Sequence, residues 1–124
     1  MIQMISRLRV RPGRHEAFLA WCTRLVRIAN RESGTLKYEC YFDAGFGRCL
    51  FIETYRDSRC LDVHLGAVAE EIVAGHDNYD IEHLDVCGDL SSEQRAMFAS
   101  LGDPEDHPAK VIFYQLKAER SPLD

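Results

Sequence analysis

His64 is the residue of this chain whose type and neighbours best suit chemistry. Leu61, Leu65 and Val68 share its face at helical spacing, which predicts an imidazole that points into the protein. An imidazole titrates near neutral pH, so it can take a proton from a bound molecule or return one. Two interpretations are open: His64 is a catalytic base or proton donor, or it is an interior histidine whose nitrogens bond to backbone or carboxylate groups.

Glu53 lies in the middle of an alternating segment, between Phe51 and Tyr55, and points the same way as both. A carboxylate inside a strand either faces solvent or is held by a partner, because burying it unpaired is costly. We therefore expect Glu53 either to contact a substrate or to make a structural hydrogen bond to a second copy of the chain.

Three tyrosines, Tyr38, Tyr41 and Tyr55, fall on the same predicted strands and are candidates for substrate binding. A phenol hydroxyl can hydrogen-bond a substrate oxygen, and the ring can stack on an aromatic ligand. Tyrosines on strands are also common in cores and interfaces, so that interpretation stays open. Trp21, at helical spacing with apolar neighbours, is predicted to pack in the core.

A metal site is a weaker interpretation of the titratable residues. The candidate ligands are His64, His76, His83, Asp80, Glu82 and Asp85. They show neither a pair of histidines four residues apart nor a His-x-x-x-Glu spacing, and an acidic solvated strand explains the carboxylates more simply. The chain also carries no glycine-rich phosphate loop and no serine nucleophile motif. We expect no metal and no cofactor.

The composition is typical of one globular domain. The chain has 124 residues, of which 46% are apolar, and a net charge of −5. That charge argues against nucleic acid as a partner, because phosphate binding needs clustered lysine and arginine. Five cysteines without a Cys-x-x-Cys pair predict no disulfide framework, and a reducing cytoplasm is the simplest location. No segment approaches the roughly 18 apolar residues of a membrane helix.

Hydrophobic periodicity divides the first 88 residues into four strands and two helices. Alternation marks residues 2–10, 35–43, 48–56 and about 79–87, and helical spacing follows Arg14 and again runs from Asp57 or Ser58 to Gly75. We expect Gly34 to be a left-handed cap of the first helix. The order βαββαβ predicts an α+β, ferredoxin-like fold, with an antiparallel sheet and both helices on one side of it.

Residues 89–124 are predicted to extend this 1–88 core within a single domain. Ser91-Ser92-Glu93-Gln94 resembles a capping box, so a short helix should follow, carrying Met97, Phe98 and Leu101. Gly102-Asp103-Pro104 should end it, with a loop through Asp106-His107-Pro108. Residues 110–118 are apolar enough to form a fifth strand on an edge of this sheet or of a partner's.

The sheet face opposite the helices has nothing in the predicted fold to cover it. Leaving apolar side chains in water costs on the order of 25 cal/mol per Å². A second copy of the sheet is the simplest cover, so we expect a homodimer.

Several short segments, in this order and spacing, resemble one protein family. They are Arg11-Pro12-Gly13-Arg14, Glu32-Ser33-Gly34-Thr35-Leu36, Glu53-Thr54-Tyr55 with Arg56-Asp57-Ser58, and Asp62-Val63-His64-Leu65. Over residues 1 to about 88 the chain resembles the antibiotic biosynthesis monooxygenase domain family, whose ferredoxin-like subunits form dimeric α/β barrels. The resemblance implies a pocket between the sheet and the helices of each subunit. It also implies His64 at the family's helix-two histidine and Glu53 at its recurrent glutamate.

The family implies two kinds of chemistry. Some members oxidise phenols, anthrones or quinols with O₂ and use neither metal nor flavin; others cleave haem. The haem-cleaving members use an Asn on the first strand and a Trp on the second helix, whereas this chain has Gln3 and Ser6 on that strand and His64 near the position of the Trp. Haem cleavage is therefore not favoured.

The resulting expectation is a cofactor-independent monooxygenase that acts on a small phenolic, anthrone or quinol-like molecule. His64 would be the base or proton donor, and Tyr38 and Tyr55, with Glu53, would bind the substrate. The alternative is a non-catalytic dimeric barrel that binds a small molecule or serves a stress response.

Overall fold

The computed structural model describes residues 1–102 and 109–120. Its elements, in chain order, are β1 (Ile2–Val10), α1 (His15–Ala29), β2 (Thr35–Phe42), β3 (Arg48–Tyr55), α2 (Ser58–Gly75), β4 (Tyr79–Cys87), α3 (Ser92–Ser100) and β5 (Lys110–Tyr114). A 3-10 turn, His76–Asn78, joins α2 to β4. The predicted βαββαβ order is confirmed, and the predicted loop at Asp103-Pro104 and Asp106-His107-Pro108 lies outside the described residues.

The five strands form one sheet in the order β2-β3-β1-β4-β5. The four core strands pair antiparallel, as in a ferredoxin-like fold. β5 adds to the free edge of β4 in the parallel direction, from His83 opposite Lys110 to Cys87 opposite Tyr114. The fifth strand thus belongs to its own chain's sheet, and it ends four residues earlier than the pattern predicts.

Alternation along the strands separates two faces of the sheet, which we call the inner face, under the helices, and the outer face. On β1, Leu8 and Val10 are buried on the inner face, whereas Arg7 and Arg9 are exposed on the outer face. α1 packs Phe18, Trp21 and Leu25 onto the inner face, and each is at most 2% exposed. Fully burying one such side chain contributes roughly 1.5–3 kcal/mol, so this layer supports the site built on it.

The connection between α1 and β2 differs from the prediction. α1 ends at Ala29 with a right-handed cap at Asn30, so the expectation that Gly34 is its left-handed cap is wrong. Gly34 is required for another reason: a Cβ there would lie 2.3 Å from the Sγ of Cys60 on α2. The register of β2 against β3 also shifts between Thr35 and Lys37, which leaves Leu36 49% exposed.

Both remaining helices begin as the sequence predicts. The Asp57 carboxylate accepts a hydrogen bond of 2.9 Å from the backbone N–H of Cys60 and caps α2. Ser91 and Gln94 form the predicted capping box of α3, with reciprocal bonds of 3.1 and 3.0 Å. Among the helices of the described residues, none has the length and apolar character needed to cross a membrane.

Candidate functional site

A cavity of about 280 Å³ lies between the inner face of the sheet and the three helices. Aromatic side chains form much of its wall, namely Trp21, Tyr38, Phe51, Tyr79 and Phe98. The polar lining residues are few: Ser6, Glu53, His64 and Ser100, besides the tyrosines. No lysine or arginine of the described residues lines the cavity. This is the composition of a site for an apolar, uncharged molecule with a few groups that fix its orientation.

The register of the strands explains why Glu53 and the tyrosines meet. Glu53 pairs with Tyr38 on β2 and with Met4 on β1, so the three share the inner face. Tyr55, two residues further along β3, points the same way, and its hydroxyl donates a short hydrogen bond to Glu53 Oε1. Glu53 is only 9% exposed, and this phenol is the partner that its burial requires.

His64 reaches the same point from α2, where Leu61 and Val68 bury that helix face. Its Nδ1 lies 2.6 Å from Oε1 of Glu32, in the turn between α1 and β2. The Thr35 hydroxyl donates a 3.0 Å bond to the same oxygen. A carboxylate can only accept, so the contact assigns the imidazole proton to Nδ1 and leaves Nε2 as the basic nitrogen.

The basic nitrogen of His64 is directed at the cavity. Nε2 lies 4.0 Å from Glu53 Oε1, and both residues line the cavity. The imidazole ring lies between two phenol rings, with centroids 5.0 Å from Tyr38 and 5.2 Å from Tyr55. His64 is 2% exposed, so its position is determined by packing as well as by Glu32.

Burial determines the proton affinity of the groups around His64. It raises the pKa of Glu53 above that of an ordinary glutamate, and the Tyr55 hydroxyl and His64 oppose the shift only in part. Burial, reinforced by the nearby Glu53, also raises the pKa of Tyr38 and of Tyr55. Both phenols therefore stay protonated at neutral pH and act as hydrogen-bond donors.

The predicted site residues divide into three groups in the structure. His64, Glu53 and Tyr38 meet at the cavity wall. Tyr55 is fully buried behind Glu53 and is not among the lining residues, so it holds the carboxyl in place. Tyr41 is 51% exposed on the outer face, paired with Leu50, and does not reach the cavity.

Sequence reasoning missed Glu32, the carboxylate that orients His64. Glu32 is 32 residues away in sequence, and only the packing of the α1–β2 turn against α2 brings the two together. One local signal was available, since Glu32 and Thr35 are three residues apart and Thr35 donates to that carboxylate. The sequence predicted Met97, Phe98 and Leu101 as apolar positions of a short helix and assigned them no role in a site, whereas in the structure they line the cavity.

The structure brings the proposed metal ligands to different places. His76 bonds to the carbonyl oxygen of Val73, and His83 pairs with Asp85 at 2.7 Å. Over residues 1–102 and 109–120, no three His, Cys, Asp or Glu side chains are arranged to hold a metal ion.

Solved structures of similar fold cover most or all of the chain. MupZ from Pseudomonas fluorescens is 21% identical with a TM-score of 0.74, and the match covers 98% of this chain and 93% of MupZ. Rv0793 from Mycobacterium tuberculosis is 22% identical with a TM-score of 0.64, covering 73% of this chain and 96% of Rv0793. At these identities the likeness shows the fold alone.

A candidate antibiotic biosynthesis monooxygenase of Deinococcus radiodurans is a further structural match, 18% identical with a TM-score of 0.61, covering 69% of this chain and 89% of that protein. No curated protein matches the chain. The family model described as antibiotic biosynthesis monooxygenase matches residues 1–74, which include β1 to β3, the Glu32–His64 pair and Glu53. The chain belongs to the antibiotic biosynthesis monooxygenase family.

Proposed function

We propose that this protein is a cofactor-independent monooxygenase that oxidises a small phenolic, anthrone or quinol-like molecule with O₂. The observation that carries the proposal is the Glu32–His64 pair, which holds a basic imidazole nitrogen toward an apolar cavity. Family membership supplies the oxygenase chemistry as a precedent, and the side chains of this chain supply the proton transfer.

The first step is removal of a proton from the substrate by Nε2 of His64. Glu32 stabilises the imidazolium that forms, because its carboxylate stays bonded to Nδ1 throughout. Tyr38, which lines the cavity beside His64, donates a hydrogen bond to the substrate oxygen as negative charge develops there. The apolar walls keep bulk water from quenching this anion.

The second step is attack of the substrate carbanion on O₂. The electron pair left by the lost proton forms the new C–O bond, and the resulting peroxide takes a proton back from His64. Loss of water then converts the peroxide carbon to a carbonyl. For an anthrone the balance is R₂CH₂ + O₂ → R₂C=O + H₂O, so the substrate is the only reductant required.

The lining of the cavity supports an uncharged substrate. No lysine or arginine of the described residues lines it, whereas Glu53 does, and Glu32 lies behind His64. A ligand that arrives with a permanent negative charge would lose its hydration without a lysine or arginine of the described residues to pair with, which is costly in an apolar site. A neutral aromatic molecule avoids that cost and finds aromatic walls to stack on.

O₂ uptake by the purified, chelator-treated protein tests the proposal directly. A panel of hydroquinones and anthrones should be oxidised faster than in buffer, and His64→Gln should lower kcat by about 10²- to 10⁴-fold, the range for loss of a general base. His76→Gln is a matched control, since His76 is an exposed histidine at the end of α2 and makes no contact with the cavity. It should leave kcat unchanged.

Two results would contradict the proposal. One is uptake at the buffer rate for every compound of the panel; saturable binding of those compounds without turnover would then favour the non-catalytic binding barrel. The other is full activity in His64→Gln, which would place the chemistry elsewhere.

We also propose that the protein is a homodimer that pairs the outer faces of two sheets. Ile5, Leu50, Ile52 and Tyr41 lie together there through the pairing of β1, β2 and β3, and Tyr41 and Leu50 are 51% and 36% exposed. Burying this apolar strip against a second copy supplies the driving force. Light scattering should give twice the monomer mass of 14.2 kDa, and Leu50→Lys should shift the protein to monomer.

A further inference from the structure

α3 forms one complete wall of the cavity. Four residues on or just after it line the space: Met97, Phe98, Ser100 and Leu101. Phe98 is 5% exposed and packs into the core beside Leu84. Met97 is 43% exposed while still lining the cavity, which places it at the outer edge. The cavity would be an open groove on this side without α3.

A single buried amide fastens α3 to α2. Gln94 is 3% exposed, and its Nε2 donates 2.7 Å bonds to the carbonyl oxygen of Ser58 and to Oδ1 of Asp62. Its Oε1 accepts 3.0 Å bonds from the hydroxyl of Ser58 and the backbone N–H of Ser91. Every hydrogen-bonding position of the amide is thereby used, so the rotation of α3 about its axis, and the side chains it directs into the cavity, are set.

This wall lies outside the part of the chain that the family model matches. The match ends at residue 74, within α2, and α3 begins at residue 92. His64, Glu32 and Glu53 all precede residue 74, so the chemical groups and the α3 wall lie in different parts of the chain. A wall of that kind can vary in shape without disturbing the groups that carry the chemistry.

We propose that Met97 and Leu101 are the residues that determine specificity, because they limit the size of the aromatic molecule that fits beside His64. The inference rests on the proposed function in that it takes the cavity as the substrate site. Both side chains lie on the α3 wall, and neither makes a hydrogen bond that a substitution would leave unsatisfied. Shortening them enlarges the space at that end and leaves Glu53 and His64 untouched.

Binding of phenols of increasing size tests the inference without requiring turnover. Calorimetric titration with a two-ring naphthol and a four-ring hydroxypyrene gives a ratio of affinities for the large and the small ligand. In the parent protein and in the alanine variants, quenching of Trp21, the only tryptophan of the chain and a lining residue, reports that the ligand enters the cavity. The variants are the double change Met97→Ala with Leu101→Ala, and the opposite change Met97→Trp.

The double variant should raise the affinity ratio at least about tenfold, and Met97→Trp should lower it, relative to the parent protein. Val73→Ala is the matched control, an exposed apolar residue of α2 outside the cavity, and should leave the ratio unchanged. Circular dichroism checks that each variant is folded. If the double variant does not fold, the single variant Met97→Ala is used in its place.

The inference would be overturned if the affinity ratios of the alanine variant and of Met97→Trp both stayed within about threefold of the parent ratio. It would also be overturned if the parent protein bound neither phenol. Size-dependent binding without O₂ uptake would overturn only the oxygenase proposal and leave the role of α3 in place.

Discussion

The carboxylate pairs on the outer face of the sheet and beside the cavity differ in their contact with water and in the base that the carboxylate binds. On the outer face, Arg9 and Arg11 pair with Asp80 at 2.6 and 2.8 Å, and these side chains are 34–48% exposed. Beside the cavity that covers the inner face, Glu32 of the α1–β2 turn and His64 of α2 pair at 2.6 Å, with side chains 9% and 3% exposed. The distances are similar, so the pairs differ chiefly in their contact with water and in the base, a guanidinium on the outer face and an imidazole beside the cavity.

The carboxyl groups on the two faces respond in opposite directions. The Arg11 guanidinium lowers the pKa of Asp80, since the carboxylate gains charged partners while keeping access to solvent. Burial raises the pKa of Glu53, because desolvation outweighs the hydrogen bond from Tyr55. The pKa of a carboxyl group on this sheet is therefore set by the charge of its partner where it meets water, and by burial where it does not.

After His64→Gln, the largest effect is expected from Glu32→Gln, at the pair beside the cavity. Loss of the carboxylate removes the charge that stabilises imidazolium, so kcat should fall about 10- to 100-fold with little change in KM. Thr35→Val, which removes only the hydroxyl that donates to Glu32, should cause a smaller loss in the same direction. Steady-state O₂ uptake measures both variants, and an unchanged kcat in Glu32→Gln would mean that the pair is only structural.

Two glycines of α2 allow the same comparison of a buried and an exposed position within one helix. A Cβ on Gly75 would lie 2.4 Å from Nε1 of Trp21, so Gly75→Ala should lower the free energy of unfolding by about 1–3 kcal/mol. Gly66 has no atom within 4 Å of such a Cβ, so Gly66→Ala should raise it by about 0.5–1 kcal/mol. Urea denaturation of both variants gives the comparison, and equal effects would contradict it.

The raised pKa of Glu53 predicts a pH dependence of stability. The folded state holds the Glu53 proton more tightly than the unfolded chain, where glutamate titrates near about 4.3. The stabilisation is therefore complete below that pH and is lost as the pH rises through the folded pKa. Between the unfolded pKa and the raised folded pKa of Glu53, the free energy of unfolding of the parent protein should therefore fall relative to that of Glu53→Gln. Parallel pH profiles for the two proteins would show that Glu53 titrates normally.

The smallest effect is expected on the outer face, from Asp80→Asn. Its pairs with Arg9 and Arg11 are partly exposed and screened by salt, so Tm should fall by less than about 4 °C. The difference from the parent should shrink further in high salt. A larger, salt-independent loss measured by calorimetry would show that the Asp80 pairs lie inside the proposed dimer interface rather than outside its apolar strip.

The confirmed predictions depend on short-range patterns. The alternation of β1, the helical spacing of Leu61, His64 and Val68, and the Ser91–Gln94 capping box each involve residues a few positions apart. Such patterns survive folding because they reflect the period of the backbone itself. The prediction for Gly34 was wrong for the complementary reason: its lack of a side chain serves a contact with Cys60, 26 residues later.

The sequence by itself determined the elements, their order, the family and the inward direction of His64. The tertiary structure alone decided that Glu32 orients His64, that Tyr55 lies behind Glu53, and that α3 closes the cavity of its own chain. The physical reason is that periodicity tells which side of an element is buried but not which buried side chains meet. Hydrogen bonds between Glu32 and His64, or between Gln94 and Asp62, depend on how distant segments pack, and packing is a property of the whole fold.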